Sequence, residues 1–269
     1  MTLKLRIPII VILLFTGSCT NTQQQSDAYR IGELLYSDLF DSGLSHWSAE
    51  METPSGSSVQ IKGGQLHISS FGGGTTLWFL QKLDGSVMIE YNATAMPIDG
   101  VADSVSDVNS FWMLTDLKHP EDILADSSSR GGRFKSYHTL PGYYAGKGAG
   151  RNTRTTFKKH DMSGNGSRID WGILTDQEYM LRPSFPHKIQ LIFCDGPDSA
   201  LVQYICDESL YFEKWDSEPC RSGWFAFRVY NASVMYDNFK VYRLVPSNRT
   251  QQKAQTGNTI VRTRQHPHP

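Results

Sequence analysis

Apolar positions along this chain recur on a two-residue period in one short segment after another. Leu66 and Ile68 share a face of G-G-Q-L-H-I, where a tight turn feeds a strand. Residues 75–80 are another β-rich run, and Asp84-Gly85 is a hairpin signal ahead of a central strand at 87–93. In 109–115, Asn109, Phe111 and Met113 fall on one face and Ser110, Trp112 and Leu114 on the other. Further strands are predicted near 143–145 and at 153–158, 188–194, 200–206, 223–230 and 238–244. Residues 116–129 read as a loop with one helical turn at most. Turn residues recur every roughly 8–15 positions, and no amphipathic run reaches helical length beyond about ten residues. The pattern predicts an all-β chain, an antiparallel β-sandwich or barrel.

The ends break the pattern. A basic start (Lys4, Arg6) precedes an apolar run at 7–15 that is too short to span a bilayer and reads as an export signal. It closes on T-G-S-C, where Cys19 resembles the lipidated cysteine of a bacterial lipobox; an ordinary cleaved signal is the alternative. The expected organisation is a signal at 1–18, a tether at 19–33, one β domain at 34–246, and a polar tail at 247–269 without apolar periodicity. An exported protein touching the membrane only through its lipid follows. Beyond Cys19 the cysteines are Cys194, Cys206 and Cys220, enough for at most one disulfide and lacking the C-x-x-C spacing of zinc sites. The net charge of −1 speaks against nucleic acid as partner.

Charge is instead gathered locally. Residues 130–160 carry four arginines, four lysines, three tyrosines, two histidines and six glycines. This suits a small anionic ligand on a β scaffold. Tyr144 or Tyr143 is the candidate for proton transfer, since neighbours on a strand face opposite ways and only one can enter a site. His138 is its candidate acid or base partner, with His160 ranked below it. Arg133, Arg151 and Arg154, with Asn152, are candidates for gripping an anionic group, because a guanidinium fork matches a carboxylate. Asn109 and Trp112 are candidates for contact with a sugar, Trp112 by stacking, with core packing its alternative. Asp237-Asn238 can offer oxygen ligands to a structural calcium, with a turn or strand start as the competing reading. No cofactor motif is legible, since G-K-G-A-G neither matches a P-loop nor opens a helix after a strand.

One order of motifs goes further. D-L-F-D-S-G-L-S-H-W comes first, G-G-Q-L-H-I follows, and S-G-W-F-A-F-R-V-Y later leads into Y-D-N-F-K-V-Y. This resembles the concanavalin A-like jelly rolls of bacterial polysaccharide-utilisation loci. The resemblance implies that the D-N-F-K-V strand pairs with the first strand. S-D-V-N-S-F-W-M-L-T-D, R-G-G-R-F and Y-Y-A-G-K-G-A-G-R-N-T further resemble the ulvan oligosaccharide dehydratases of marine Bacteroidota, which are related in fold to polysaccharide lyases. The resemblance implies a carbon–oxygen lyase acting by β-elimination on uronic-acid-containing oligosaccharides.

Elimination across C4–C5 of a uronate needs a group to neutralise the carboxylate, a base for the C5 proton and an acid for the oxygen leaving C4. Arginine suits the first role; tyrosine and histidine suit the others. An arginine beside a phenol favours phenolate, which makes tyrosine a candidate base. Two alternatives stay open: a carbohydrate-binding lipoprotein without catalysis, and a glycoside hydrolase with paired carboxylates. The chain lacks the E-x-D-x-x-E strand motif of laminarinase-type hydrolases.

Overall fold

A computed structural model describes residues 28–52, 56–98 and 105–247. Cys19, the export signal and nearly all of the polar tail lie outside them. Among the described residues there are fourteen strands, all paired antiparallel. They are β1 (Tyr29–Asp38), β2 (Trp47–Met51), β3 (Ser58–Lys62), β4 (Gln65–Phe79), β5 (Leu83–Asp84), β6 (Val87–Met96) and β7 (Val108–Leu114). After a long excursion come β8 (Gly142–Gly148), β9 (Arg154–His160), β10 (Arg168–Leu174), β11 (Pro186–Asp195), β12 (Ala200–Cys206), β13 (Ser209–Asp216) and β14 (Ser222–Pro246). Of the sandwich or barrel that the alternation predicts, the sandwich forms, in keeping with the jelly roll that the resemblance implies.

Two long strands, β4 and β14, build both layers. The pairing runs β10-β9-β8-β7-β14-β6-β11-β12-β13. The first half of β14 pairs with β7, and its second half with β6 and β1. The crossing point is Asn231, whose φ is 45°, and the register with β4 shifts between Tyr230 and Ala232. On β4 the bend falls in Gly72-Gly73-Gly74, where Gly72 has φ 74° and its N–H donates to Asn231 Oδ1 at 2.9 Å. A left-handed backbone with no Cβ makes such a corner at little cost. As the resemblance implied, D-N-F-K-V closes on the first strand, with Asp38 opposite Phe239 and Tyr36 opposite Val241. β1 begins at Tyr29, inside the segment expected to be tether.

The core lies between the layers. Inward positions meet across it, as in the Tyr143–Phe193 and Phe157–Phe212 ring contacts at 6.0 and 5.4 Å. Trp47, Phe225, Phe227 and Phe239 stack at one end. Cys194, Cys206 and Cys220 are buried and form no disulfide.

The outer face of the β7–β8–β14 layer is also apolar, because the 115–141 excursion folds over it. Ile123, Tyr137 and Leu140 from the excursion pack with Trp78, Phe111 and Trp224 of the sheet. Buried polar bonds hold it down: Arg130 Nη2 reaches Glu50 Oε1 at 2.6 Å, and Tyr137 donates to Glu50 Oε2 at 2.6 Å. Along β7 the alternation holds as far as Trp112 and then reverses. Met113 has φ 53°, and the β7–β14 register shifts there, so Leu114 joins Phe111 outside while Met113 turns into the core. A bulge inverts facing in this way.

Candidate functional site

Where the excursion stops short of the β4–β14 corner, the outer face opens into a cleft of about 620 Å3. The register dictates its floor. Gly146 of β8 lies opposite Asn109 of β7, Asn109 opposite Arg228 of β14, and Arg228 opposite Thr76 of β4. One step along the strands, Tyr144, Phe111, Ala226 and Trp78 form the next row. Alternation puts both rows on the outer face: Tyr143, Phe225, Phe227 and Val229 belong to the core, leaving Tyr144, Ala226, Arg228 and Tyr230 outside. Asp107, Glu52, Arg133, Phe134 and Lys135 also line the cleft. The lining thus holds three basic and two acidic side chains.

Arg228 is the floor's central group. It is 1% exposed, and its Nη1 donates to Thr76 Oγ1 at 3.0 Å and to the Gly132 carbonyl. Its Nε and Nη2 are buried without a partner. Burial lowers its pKa, and the phenols of Tyr137 and Tyr144 with Glu52 and Asp107 oppose that. A buried guanidinium with two unpartnered donors carries a desolvation cost. Beside it Asn109 donates through Nδ2 to Asp107 Oδ1 at 3.1 Å, while its own Oδ1 has no partner.

Asp107 has φ 55°, a strained conformation for a residue with a side chain. Burial raises its pKa, against hydrogen bonds from Ser106 and Asn109 and the charges of Arg228 and Arg154. Burial also dominates at Tyr144, holding it above the ordinary phenol value despite Arg228, Arg168 and Arg154. At Tyr144 desolvation outweighs the arginines and favours the neutral phenol over the phenolate.

The structure separates the other candidates. Tyr143 points into the core and donates to Asp216 Oδ2 at 2.8 Å, away from the cleft. Trp112 is core as well, stacked on Phe157 at 5.9 Å. Asn152 clasps Leu181, with Nδ2 on its carbonyl at 2.9 Å and Oδ1 on its N–H at 2.8 Å, so its amide is engaged within the fold. Arg151 sits exposed on a left-handed turn at φ 63° and does not line the cleft. Arg154 is exposed close enough to act on Asp107 and Tyr144, and Arg133 lines the rim.

His138 lies behind Phe134, ring centroids 4.9 Å apart, rather than on the cleft wall. It neighbours His160 at 5.6 Å, and the Nε2 atoms of both are buried without partners. Arg228, Glu52 and Tyr230 lie far in sequence from the dense basic stretch, and Asp107 stands beside the candidate Asn109 with nothing in its own spacing to mark it. The W-F-A-F-R-V-Y alternation, which puts Arg228 opposite the core-facing phenylalanines, was the signal for the first.

Two sets of residues bear on metals. Asp237 is a bulge residue whose Oδ1 accepts from the Asn238 N–H at 2.7 Å and whose Oδ2 accepts from Gln65 Nε2 at 3.3 Å. Each oxygen thus accepts one hydrogen bond within the fold and keeps lone-pair capacity. His187, Cys206 and Asp207 bring ligand atoms within 4.8 Å of one another. The imidazole is already used, though, since Nδ1 pairs with Asp207 at 2.7 Å and Nε2 accepts the Arg182 N–H at 3.2 Å.

Comparison with solved structures defines the class as a galectin-like, concanavalin-like jelly roll. A Bacillus subtilis protein of unknown function with a galectin-like fold is 16% identical with a TM-score of 0.63, covering 81% of this chain and 99% of that one. The endo-beta-1,3-glucanase of Pyrococcus furiosus is 11% identical with a TM-score of 0.51, covering 81% and 96%. The exoplasmic/lumenal domain of VIP36, in a Ca2+/Man3GlcNAc-bound form, is 10% identical with a TM-score of 0.51, covering 80% and 91%. At such identities the likeness is one of fold. Residues 70–239 match the family described as domain of unknown function DUF6250, and the chain belongs to that family. Comparison with curated proteins gives no match.

Proposed function

We propose that the cleft binds a uronic-acid unit of an anionic oligosaccharide, from ulvan or a related polysaccharide, and eliminates the substituent at C4. The observation that carries this reading is Arg228, a buried guanidinium whose Nε and Nη2 lack partners on the cleft floor. A carboxylate seated on that fork would satisfy both donors and, once neutralised, acidify the C5 proton. Asp107, with its raised pKa, takes that proton. Tyr144, a protonated phenol, delivers a proton to the oxygen leaving C4 as the C4–C5 double bond forms. Asn109 Oδ1 accepts a sugar hydroxyl. In this reading the protein is exported and lipid-anchored through Cys19.

The second reading, binding without turnover, draws on the same vacant donors and on the jelly roll's use in carbohydrate recognition domains. One assay separates the two. Incubation with uronate-terminated fragments of ulvan, rhamnogalacturonan, alginate and glucuronan should generate the ultraviolet absorbance of a 4,5-unsaturated uronate with at least one of them. Ligand-dependent thermal stabilisation with no new absorbance on any fragment would leave binding alone.

A further inference from the structure

Tyr230 belongs to the cleft yet has no task in that chemistry. It is 46% exposed, whereas the floor aromatics Phe111 and Tyr144 are buried. It shares the outer face with Arg228 two residues earlier on β14, which sets the two side chains roughly 6–7 Å apart along the strand. Aromatic residues on a sheet usually pack against the residue directly across. Here that residue is Gly74, the last of the Gly72-Gly73-Gly74 run, so the facing strand offers no side chain to cover the ring. Single exposed apolar residues are common and need no explanation; an uncovered ring at the mouth of a polar cleft, one side chain from a vacant guanidinium, is a different arrangement.

We propose that Tyr230 is a stacking platform for the sugar unit adjoining the one held by Arg228, which makes the preferred ligand an oligosaccharide of at least two units. The proposal rests on the uronate reading of the cleft. The apolar C–H face of a pyranose lies on the phenol ring, while the ring's hydroxyl edge stays in water. Its spacing from Arg228 fits neighbouring rings of one sugar chain. Gly72-Gly73-Gly74 thus has two roles, turning the β4 corner and keeping the platform bare.

The test uses Tyr144→Phe as a slow-turnover parent, titrated calorimetrically with the methyl glycoside of glucuronic acid and with glucuronan di- and trisaccharides. The parent should bind the oligomers more tightly than the monosaccharide. Adding Tyr230→Ala should abolish that gain, a loss of roughly tenfold on the trisaccharide, with the monosaccharide changed less than twofold. Tyr230→Phe should keep the gain, since it keeps the ring. Equal weakening of monomer and trimer by Tyr230→Ala, or no weakening of either, overturns the platform. A parent that binds monomer and trimer equally also overturns it and leaves the uronate reading intact; a parent that binds neither overturns both.

Discussion

The guanidinium of Arg228 lies flat across Gly74, where a Cβ would stand 1.9 Å from Nη2 and 2.5 Å from Cζ. The glycine makes room for the arginine, and Gly74→Ala has to push the fork off the cleft floor. Displacement of a positioning group by about an ångström costs on the order of a hundredfold in rate. Turnover of uronate oligosaccharides by Gly74→Ala should fall by that order, with a stability loss of about 1–3 kcal/mol from overpacking. Unchanged kcat/KM would show that the fork does not hold the substrate.

Arg228 itself offers a sharper contrast. The two bonds of Arg228 Nη1, to Thr76 and the Gly132 carbonyl, are offset by the burial of Nε and Nη2 without partners, which leaves a small net contribution to stability. Arg228→Met should leave Tm within roughly 4 °C of the parent, the shift of about 1 kcal/mol in a domain this size, while uronate binding is lost. A large drop in Tm would make Arg228 a structural residue.

The adjacent tyrosines should separate cleanly. Tyr144→Phe removes the proton donor and should reduce kcat by about 10²–10⁴-fold with Tm nearly unchanged. Tyr143→Phe leaves Asp216 Oδ2 and the Cys220 N–H without the phenol that now bridges them. That change should cost about 1–3 kcal/mol in urea unfolding and spare the turnover of folded protein. The opposite pattern would exchange their roles.

The excursion that walls the cleft hangs on Glu50. Arg130 and Tyr137 both converge on its carboxylate, and Arg130 Nη1 also reaches Asp116 at 3.4 Å. Glu50→Ala leaves a buried arginine underpaired and should destabilise by about 3–5 kcal/mol. Limited proteolysis should then cut first within 115–141; protection equal to the parent's would argue against the anchor.

Acid should weaken the fold through His138 and His160. Burial is the main cause pulling each down to about 4 from an ordinary 6.5, with Arg168, Lys135 and Lys158 adding at His138 and the neighbouring imidazole at His160. The folded protein therefore prefers neutral imidazoles, and the unfolded chain binds more protons below pH 6.5. Their contribution is full above about pH 6.5 and is lost as pH falls toward 4. His138 is only partly buried, so His160 should carry more of the effect. Urea midpoints measured from pH 7.5 to 4.5 should fall less steeply in His160→Gln than in the parent; parallel slopes would contradict this.

Much of this architecture is legible from alternation alone. The W-F-A-F-R and V-N-S-F-W runs show which residues share a face, while the D-N-F-K-V pairing with the first strand is what the family resemblance implies. What alternation cannot carry is the break in it: Met113 turns inward only because of its positive φ, and that depends on register with β14. The cleft was half legible. Tyr144, Asn109 and Arg133 were candidates on chemistry. Arg228 joins them through strand pairing with Asn109, more than a hundred residues away, which composition does not reveal, while Asp107 is the near neighbour that Asn109 hydrogen-bonds. The basic density of 130–160 misled in turn at Asn152, whose amide is consumed locally by Leu181.

The central claim is that Arg228 reads a carboxylate, and calorimetry on the Tyr144→Phe protein tests it most directly. A uronate trisaccharide should bind at least tenfold more tightly than the same trisaccharide with its carboxyls methyl-esterified. The difference should vanish when Arg228→Met is added. Equal affinity for acid and ester in the Tyr144→Phe protein would contradict the account.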